Sequence, residues 1–272
     1  MTPNYDVKYV ARLFDEMGPS YDVMNLITSF GFSEVWRAQC IGNLKIQKGA
    51  VVADLMAGSG ECWTYLRRRL KGTGRILSVD ISPVMCHRQK ARLGRGYIAA
   101  DMKPDLRETT KTPKTDQAPH PAPLLVERGE GDHSTPCVIL CENALAMSLP
   151  DGSVDFVISG FGLKTFNAEQ LSQLAAETFR ILRPGGSGSF IEISVPEGRV
   201  LRGLYGWYIS SIIPLVGKVF LGGIDCYQML GVYTTAFGSC AGCVEIFRKA
   251  GFEVTFKKHF FGCATSLVLV KR

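Results

Sequence analysis

From residue 50 to residue 194, short apolar runs alternate with amphipathic pieces, and this alternation allows few architectures. The strand-like runs are VVADLM, GRILSVDI, CVILCEN, VDFVISGFGL and GSFIEISV; between them lie the helix-like CWTYLRRRL, PVMCHRQKARL and AEQLSQLAAETFRIL. Strands that alternate with helices build a parallel sheet covered on both faces, because each parallel connection must cross over the sheet. The runs are apolar at nearly every position, as strands buried on both sides must be. In ETFRILRPGG a helix is stopped by Pro184 and two glycines before the next strand. The tail adds FEVTFKKHFF and ATSLVLVKR, which meet around Gly262 and Cys263 as a hairpin. Residues 1–45 read as a helical cap broken at Gly18, Pro19 and Ser20.

At 272 residues and 46% hydrophobic, the chain can bury one large α/β domain spanning residues 1–272 without disulfides. Its net charge of +6 is scattered, which argues against a nucleic-acid partner. MTPNYDVKYV lacks the apolar stretch of a signal peptide, so the expected location is cytoplasmic. The nine cysteines are dispersed, and the one CxxC, Cys240 to Cys243, has no second ligand pair nearby; no metal site is expected. Residues 102–136 hold six of the 13 prolines among polar residues, with His120 and His133, and read as a mobile insert. Residues 197–240 form an apolar, substrate-side helical region. Its greasiest part, residues 201–221, is interrupted by Arg202, Pro214, Gly217 and Lys218. That composition suits a buried helix pair or a lid touching a membrane surface better than a membrane span. Peripheral membrane contact and a homodimer both stay open.

The stretch VADLMAGSGE places Asp54 near the end of the first strand and Gly58, Ser59 and Gly60 in the turn that follows. Glycines there admit positive φ and clear Cβ atoms from a ligand's path. In a dinucleotide fingerprint a third glycine would stand where this chain has Trp63, which is too bulky for close helix–strand packing. The acids flanking the turn disfavour a pyrophosphate and suit an ammonium or sulfonium. Asp80 ends the next strand, where a carboxylate can accept from both hydroxyls of a ribose. Asn143 ends the one after; its amide can meet an adenine edge while Ala144 leaves room for the ring. In this order the three strand ends describe S-adenosylmethionine.

VADLMAGSGE, SVDISPVM, ENALAMSLPDGSVDFVISGFGL and FRILRPGGSGSFIEIS together resemble a class I S-adenosylmethionine-dependent methyltransferase. FDEMGPSYDVMNLITSFGFSEVW and AGFEVTFKKHFFG narrow the likeness to the UbiE-type ubiquinone/menaquinone C-methyltransferases. The resemblance implies a Rossmann-like α/β fold: a mostly parallel seven-stranded sheet, helices on both faces and a C-terminal antiparallel hairpin. It assigns Gly58, Ser59 and Gly60 to the cofactor loop and Asp80 with Ile81 to the ribose. Asn143 and Ala144 fall to the adenine, and Asp54 and Gly160 to the methionine end of the cofactor, Asp54 directly or through the loop it braces. Tyr21 and Asp22 are expected to help close the site. Where the family typically has Ser-Phe-Gly-Leu-Arg-Asn, this chain has Gly160-Phe161-Gly162-Leu163-Lys164-Thr165. Lys164, a candidate to stabilise a phenolate, and His259, a candidate base, are the expected catalytic residues. The implied reaction is methylation of a small aromatic or heterocyclic acceptor, foremost at carbon of a quinol or phenol-like ring. Nitrogen or oxygen methylation of another metabolite stays open, as does a non-catalytic S-adenosylmethionine-binding protein.

Overall fold

The computed structural model describes residues 2–18, 26, 29–93, 99–100, 124–126, 135–212 and 225–272. Tyr21, Asp22, His120, His133 and most of the insert lie outside them. The strands are β1 (Val51–Leu55), β2 (Arg75–Asp80), β3 (Ala99–Ala100), β4 (Leu124–Val126), β5 (Cys137–Cys141), β6 (Val154–Gly160), β7 (Leu182–Ile193), β8 (Phe252–His259) and β9 (Ala264–Lys271). They form one sheet in the order β3-β4-β5-β2-β1-β6-β7-β9-β8. From β5 to β8 this is the expected seven-stranded sheet: β5, β2, β1, β6 and β7 run parallel, and β9 and β8 form the antiparallel hairpin. The short β3 and β4 extend the β5 edge with antiparallel pairing, and β4 falls inside the segment read as a loop.

The helices are α1 (Val7–Met17), α2 (Phe32–Gly42), α3 (Trp63–Leu70), α4 (Pro83–Leu93), α5 (Ala168–Ile181), α6 (Arg199–Trp207), α7 (Asp225–Phe237) and α8 (Val244–Lys249). Alternate residues of β1 face opposite cores, as a pleated strand requires. Val52 packs with Trp63, Leu66, Leu70 and Cys86 from α3 and α4. Ala53 and Leu55 join Leu171, Leu174 and Phe247 from α5 and α8. The helix α5 opens with a capping box in which Asn167 and Gln170 exchange side-chain-to-backbone bonds. At Pro184-Gly185-Gly186 the chain bulges within β7, where pairing jumps from Val154↔Leu182 to Phe156↔Ser187. A Cβ on Gly186 would lie 2.8 Å from the Arg183 carbonyl oxygen, so the bulge needs its glycine.

The sheet order reverses between β1 and β6, and the carboxyl ends of β1, β2, β5 and β6 open there into a crevice, where such folds bind ligands. Helix α1 bounds this edge. Its Leu13 and Met17 pack with Met85, Met229 and Tyr233. Its Asp15 accepts from Ser82 Oγ at 2.5 Å and from the Val84 amide at 3.4 Å, which ties it to the start of α4. Gln170 Nε2 holds the Tyr5 carbonyl at 2.9 Å, and the Tyr233 hydroxyl donates to that of Asn4. Among the described residues no single helix is long and apolar enough to cross a membrane.

Candidate functional site

The turn after β1 departs from ordinary backbone at three points: Met56 at φ 51°, Gly58 at φ 57° and Gly60 at φ 84°. Gly60 is obligatory, because a Cβ there would lie 2.7 Å from the buried Trp63 ring. Trp63 therefore occupies the third-glycine position by packing beneath the loop. The loop is held from two directions. Asp80 Oδ2 accepts the Gly58 amide at 2.7 Å while Oδ1 accepts that of Ser82 at 2.9 Å. From α4, Gln89 Nε2 donates to the Gly58 carbonyl at 2.7 Å and Arg92 Nη2 to Ser59 Oγ at 3.1 Å.

Beneath this loop lies a cluster of acids. Asp54 is 1% exposed, and among the described residues neither of its carboxylate oxygens meets a donor. Burial, and then the charges of Glu61 and Asp80, drive its pKa well above the usual carboxylate range. Asp80 is pushed up to about 7, chiefly by burial, against the opposing pull of its two backbone donors. The nearby cation is the buried Arg37, which bridges Glu34 at 2.7 Å and Glu61 at 3.2 Å and lies 5.1 Å from the Phe161 ring centre. A cation placed beside these carboxyls would offset their mutual repulsion and draw Asp54 toward its ionised form, so the cluster suits a cationic ligand.

Above the loop a cavity opens, with about 690 Å³ of empty space, part of it continuous with solvent. Gly58, Asp80, Ile81, Asn143, Ala144 and Gly160 line it, so six of the expected cofactor residues converge on one space. Asn143 Oδ1 accepts the Leu145 amide at 3.0 Å, which turns its amide nitrogen to other partners. Asp54, Ser59 and Gly60 stand behind the wall and shape the loop. Tyr21 is outside the described residues. The two expected catalytic residues are absent from the lining. Lys164 is buried, with Nζ 2.9 Å from Glu192 Oε1 and 2.6 Å from the Phe161 carbonyl. His259, on the edge strand β8, faces Ser266 Oγ at 2.8 Å, and burial followed by Lys257 lowers its pKa.

Several lining residues were not anticipated. Tyr5, Val7, Val10 and Phe14 form a wall from the α1 region. Their spacing of two, three and four residues is the signal that marks an amphipathic face. Past β6, Phe161 at φ 70°, Gly162, Thr165 and Phe166 form the opposite wall. Strained non-glycine residues on both sides of one cavity, Met56 and Phe161, are typical of functional sites.

These features fit S-adenosylmethionine: among the described residues, an orphaned carboxylate among acids below the loop, a carboxylate at the second strand tip, a side-chain amide beside Ala144 and an apolar wall. The ubiE/COQ5 methyltransferase family matches residues 2–118 and 126–271. A demethylmenaquinone methyltransferase of Lactiplantibacillus plantarum is 28% identical over 258 residues, covering 94% of this chain and 93% of that protein. One from Lactococcus lactis subsp. lactis is 29% identical, covering 94% and 87%. Among solved structures, an S-adenosylmethionine-dependent methyltransferase of Thermotoga maritima superposes with a TM-score of 0.53 at 14% identity, covering 96% of this chain and 99% of that one, a likeness of fold. A glycine turn, an acid at the next strand tip that lines the cavity and a family match over almost the whole length agree: the chain is an S-adenosylmethionine-dependent methyltransferase and belongs to the ubiE/COQ5 methyltransferase family.

Proposed function

We propose that the enzyme methylates a ring carbon of a quinol. The observation that carries this reading is the lining of the cavity: Tyr5, Phe14, Phe161 and Phe166 supply four rings around few polar groups, which suits a flat apolar acceptor. The relatives named demethylmenaquinone methyltransferase support the same acceptor class.

When bound, S-adenosylmethionine supplies a methyl group on an electrophilic sulfonium. The protein's work is to align and to exclude water, and good alignment supplies on the order of 7–11 kcal/mol. In this reading Asp80 holds the ribose, Asn143 reaches the adenine edge, and Gly58 lets the methionine chain approach the backbone. A positive ligand beside Asp54 and Glu61 offsets their mutual repulsion and favours the ionised form of Asp54. Helix α1 supplies an apolar wall of the cavity through Val7, Val10 and Phe14, which limits water on that side. Lys164 acts through Phe161: by binding the Phe161 carbonyl it fixes the turn that presents ring and Gly162 to the cavity, a positioning role in place of contact with a phenolate. His259 has no part in the transfer. A quinol hydroxyl, as its proton is drawn away, raises electron density at the adjacent ring carbon. That carbon takes the methyl as the bond from methyl to sulfur breaks. The ring regains aromaticity by losing the hydrogen of the methylated carbon as a proton, with the hydroxyl restored.

The test is product analysis. The protein is incubated with S-adenosylmethionine labelled at the methyl carbon and with reduced demethylmenaquinone. A product one methylene heavier, with its label bonded to ring carbon by NMR, supports the reading. A label on oxygen, or none, overturns it.

A further inference from the structure

Outside the cavity the most unusual surface lies where β8 turns into β9 and meets α6. Phe260 and Phe261 both have positive φ, 41° and 55°, a conformation bulky residues rarely adopt. The strained turn does not bury their rings: Phe261 is 82% exposed. Next to it, α6 buries none of its side chains fully. Leu201 and Tyr205 rest on the cluster around Trp36, Phe161 and Cys263, while Val200 and Leu204 are 79% and 60% exposed. Half of the helix's apolar arc is packed and the other half faces solvent.

The exposed rings are joined to the cavity. Phe261 touches Phe260 at 5.5 Å between ring centres, Phe260 touches Phe32 at 4.3 Å, Phe32 touches Trp36 at 5.7 Å, and Trp36 meets Phe161 at 6.3 Å. Phe161 lines the cavity. Five rings thus run in contact from the protein surface to the donor site, all within the range of ordinary aromatic packing.

We propose that this face, made of the β8–β9 turn and the outer side of α6, docks on a lipid bilayer, and that the file of rings marks the route of a lipid-soluble acceptor to the cavity. The second part rests on the quinol reading; the docking does not. Charge selects a bilayer over a protein partner. Residues 194–212 and 256–263, which frame the face, hold the basic Arg199, Arg202, Lys257 and Lys258 against the single acid Glu197. An amphipathic helix and an aromatic turn with basic flanks form the pattern that lies in the interface of anionic membranes.

The test is flotation of the full-length protein with vesicles of phosphatidylcholine and phosphatidylglycerol, with no acceptor present. The wild type floats with the vesicles, and Val200→Ser combined with Leu204→Ser lowers the bound fraction at least tenfold. The same variant turns over a short-chain, water-soluble quinol at the wild-type rate. A second reading needs no variant: Trp36 and Trp63 are buried and Trp207 is 60% exposed, so a vesicle-induced blue shift of tryptophan emission reports on α6. Failure of the wild type to float and to shift overturns docking, as does equal flotation of the variant. Sedimentation showing a dimer that the two substitutions dissociate, without vesicle binding, would assign the face to a second copy of the chain instead. Vesicle binding with no quinol turnover leaves docking standing and removes only the acceptor route.

Discussion

Asp80 Oδ2 accepts the Gly58 amide at 2.7 Å, so the carboxylate aimed at the cavity also fixes the loop beside it. Burial sets its pKa near 7, and the bonds it accepts need the ionised form. Affinity for S-adenosylhomocysteine is therefore expected to rise between pH 6 and pH 8, approaching tenfold per unit below the pKa. Asp80→Asn is expected to flatten that profile at low affinity. Calorimetric titration across the range checks both.

The same shift has a stability consequence of opposite sense. A pKa raised from 3.8 to about 7 on folding means the folded protein holds the proton more tightly. That contribution is complete below the unfolded pKa and is lost as pH rises through the folded one, on the order of 4 kcal/mol at most. Asp54 shifts in the same direction. Urea unfolding of the ligand-free protein should show stability falling from pH 5 to pH 8, with a shallower fall in Asp80→Asn.

Lys164 and Glu192 form a fully buried pair. Lys164→Met strands the carboxylate and is expected to cost about 3–5 kcal/mol, read by urea unfolding. Combining it with Glu192→Gln should recover most of that loss. A contact with substrate alone would leave stability unchanged in the single variant.

Two glycines two residues apart differ in what they tolerate. A Cβ on Gly160 would meet Cys62 Sγ at 3.5 Å and Arg37 Cγ at 3.7 Å, ordinary contacts, whereas one on Gly162 would lie 2.6 Å from Met56 Cβ. Gly160→Ser should fold and bind the cofactor product within threefold of wild type. Gly162→Ala pushes on strained Met56 in the cavity wall and should weaken that binding at least tenfold. Titration of both variants decides.

Helix α1 is fastened to α4 through Asp15 and Ser82. Asp15→Ala removes a charge-assisted bond of about 1.5–3 kcal/mol and frees the wall formed by Val10 and Phe14. Release of S-adenosylhomocysteine, followed by stopped-flow fluorescence, should accelerate about tenfold or more.

What the sequence disclosed and what it hid divide by range. Gly58, Asp80 and Asn143 sit at strand tips, and a parallel sheet brings such tips to one edge whatever the loops do, so local pattern sufficed. The wall from α1 depends on a contact across more than 150 residues, Tyr5 to Gln170, which no local period reveals. Lys164 and its partner Glu192 lie 28 residues apart, and no local pattern in the strand FIEIS pairs the two, so the sequence alone leaves Lys164 as a candidate for the acceptor. The strand β4 is not legible in the sequence, because Leu124, Leu125 and Val126 are too short a run to stand out among prolines. The apolar stretch from residue 201 gave two readings. For α6 the buried one fails, because hydropathy shows that a helix needs an apolar partner without saying which.

The dissociation constant of S-adenosylhomocysteine for Asp80→Ala against the unaltered protein, at pH 8 and with folding verified by circular dichroism, tests the cofactor cavity most directly. The geometry predicts at least tenfold weaker binding in the variant, because a carboxylate lining the cavity, proposed to hold the ribose, and the Gly58 anchor vanish together. Equal affinities in two well-folded proteins would contradict it.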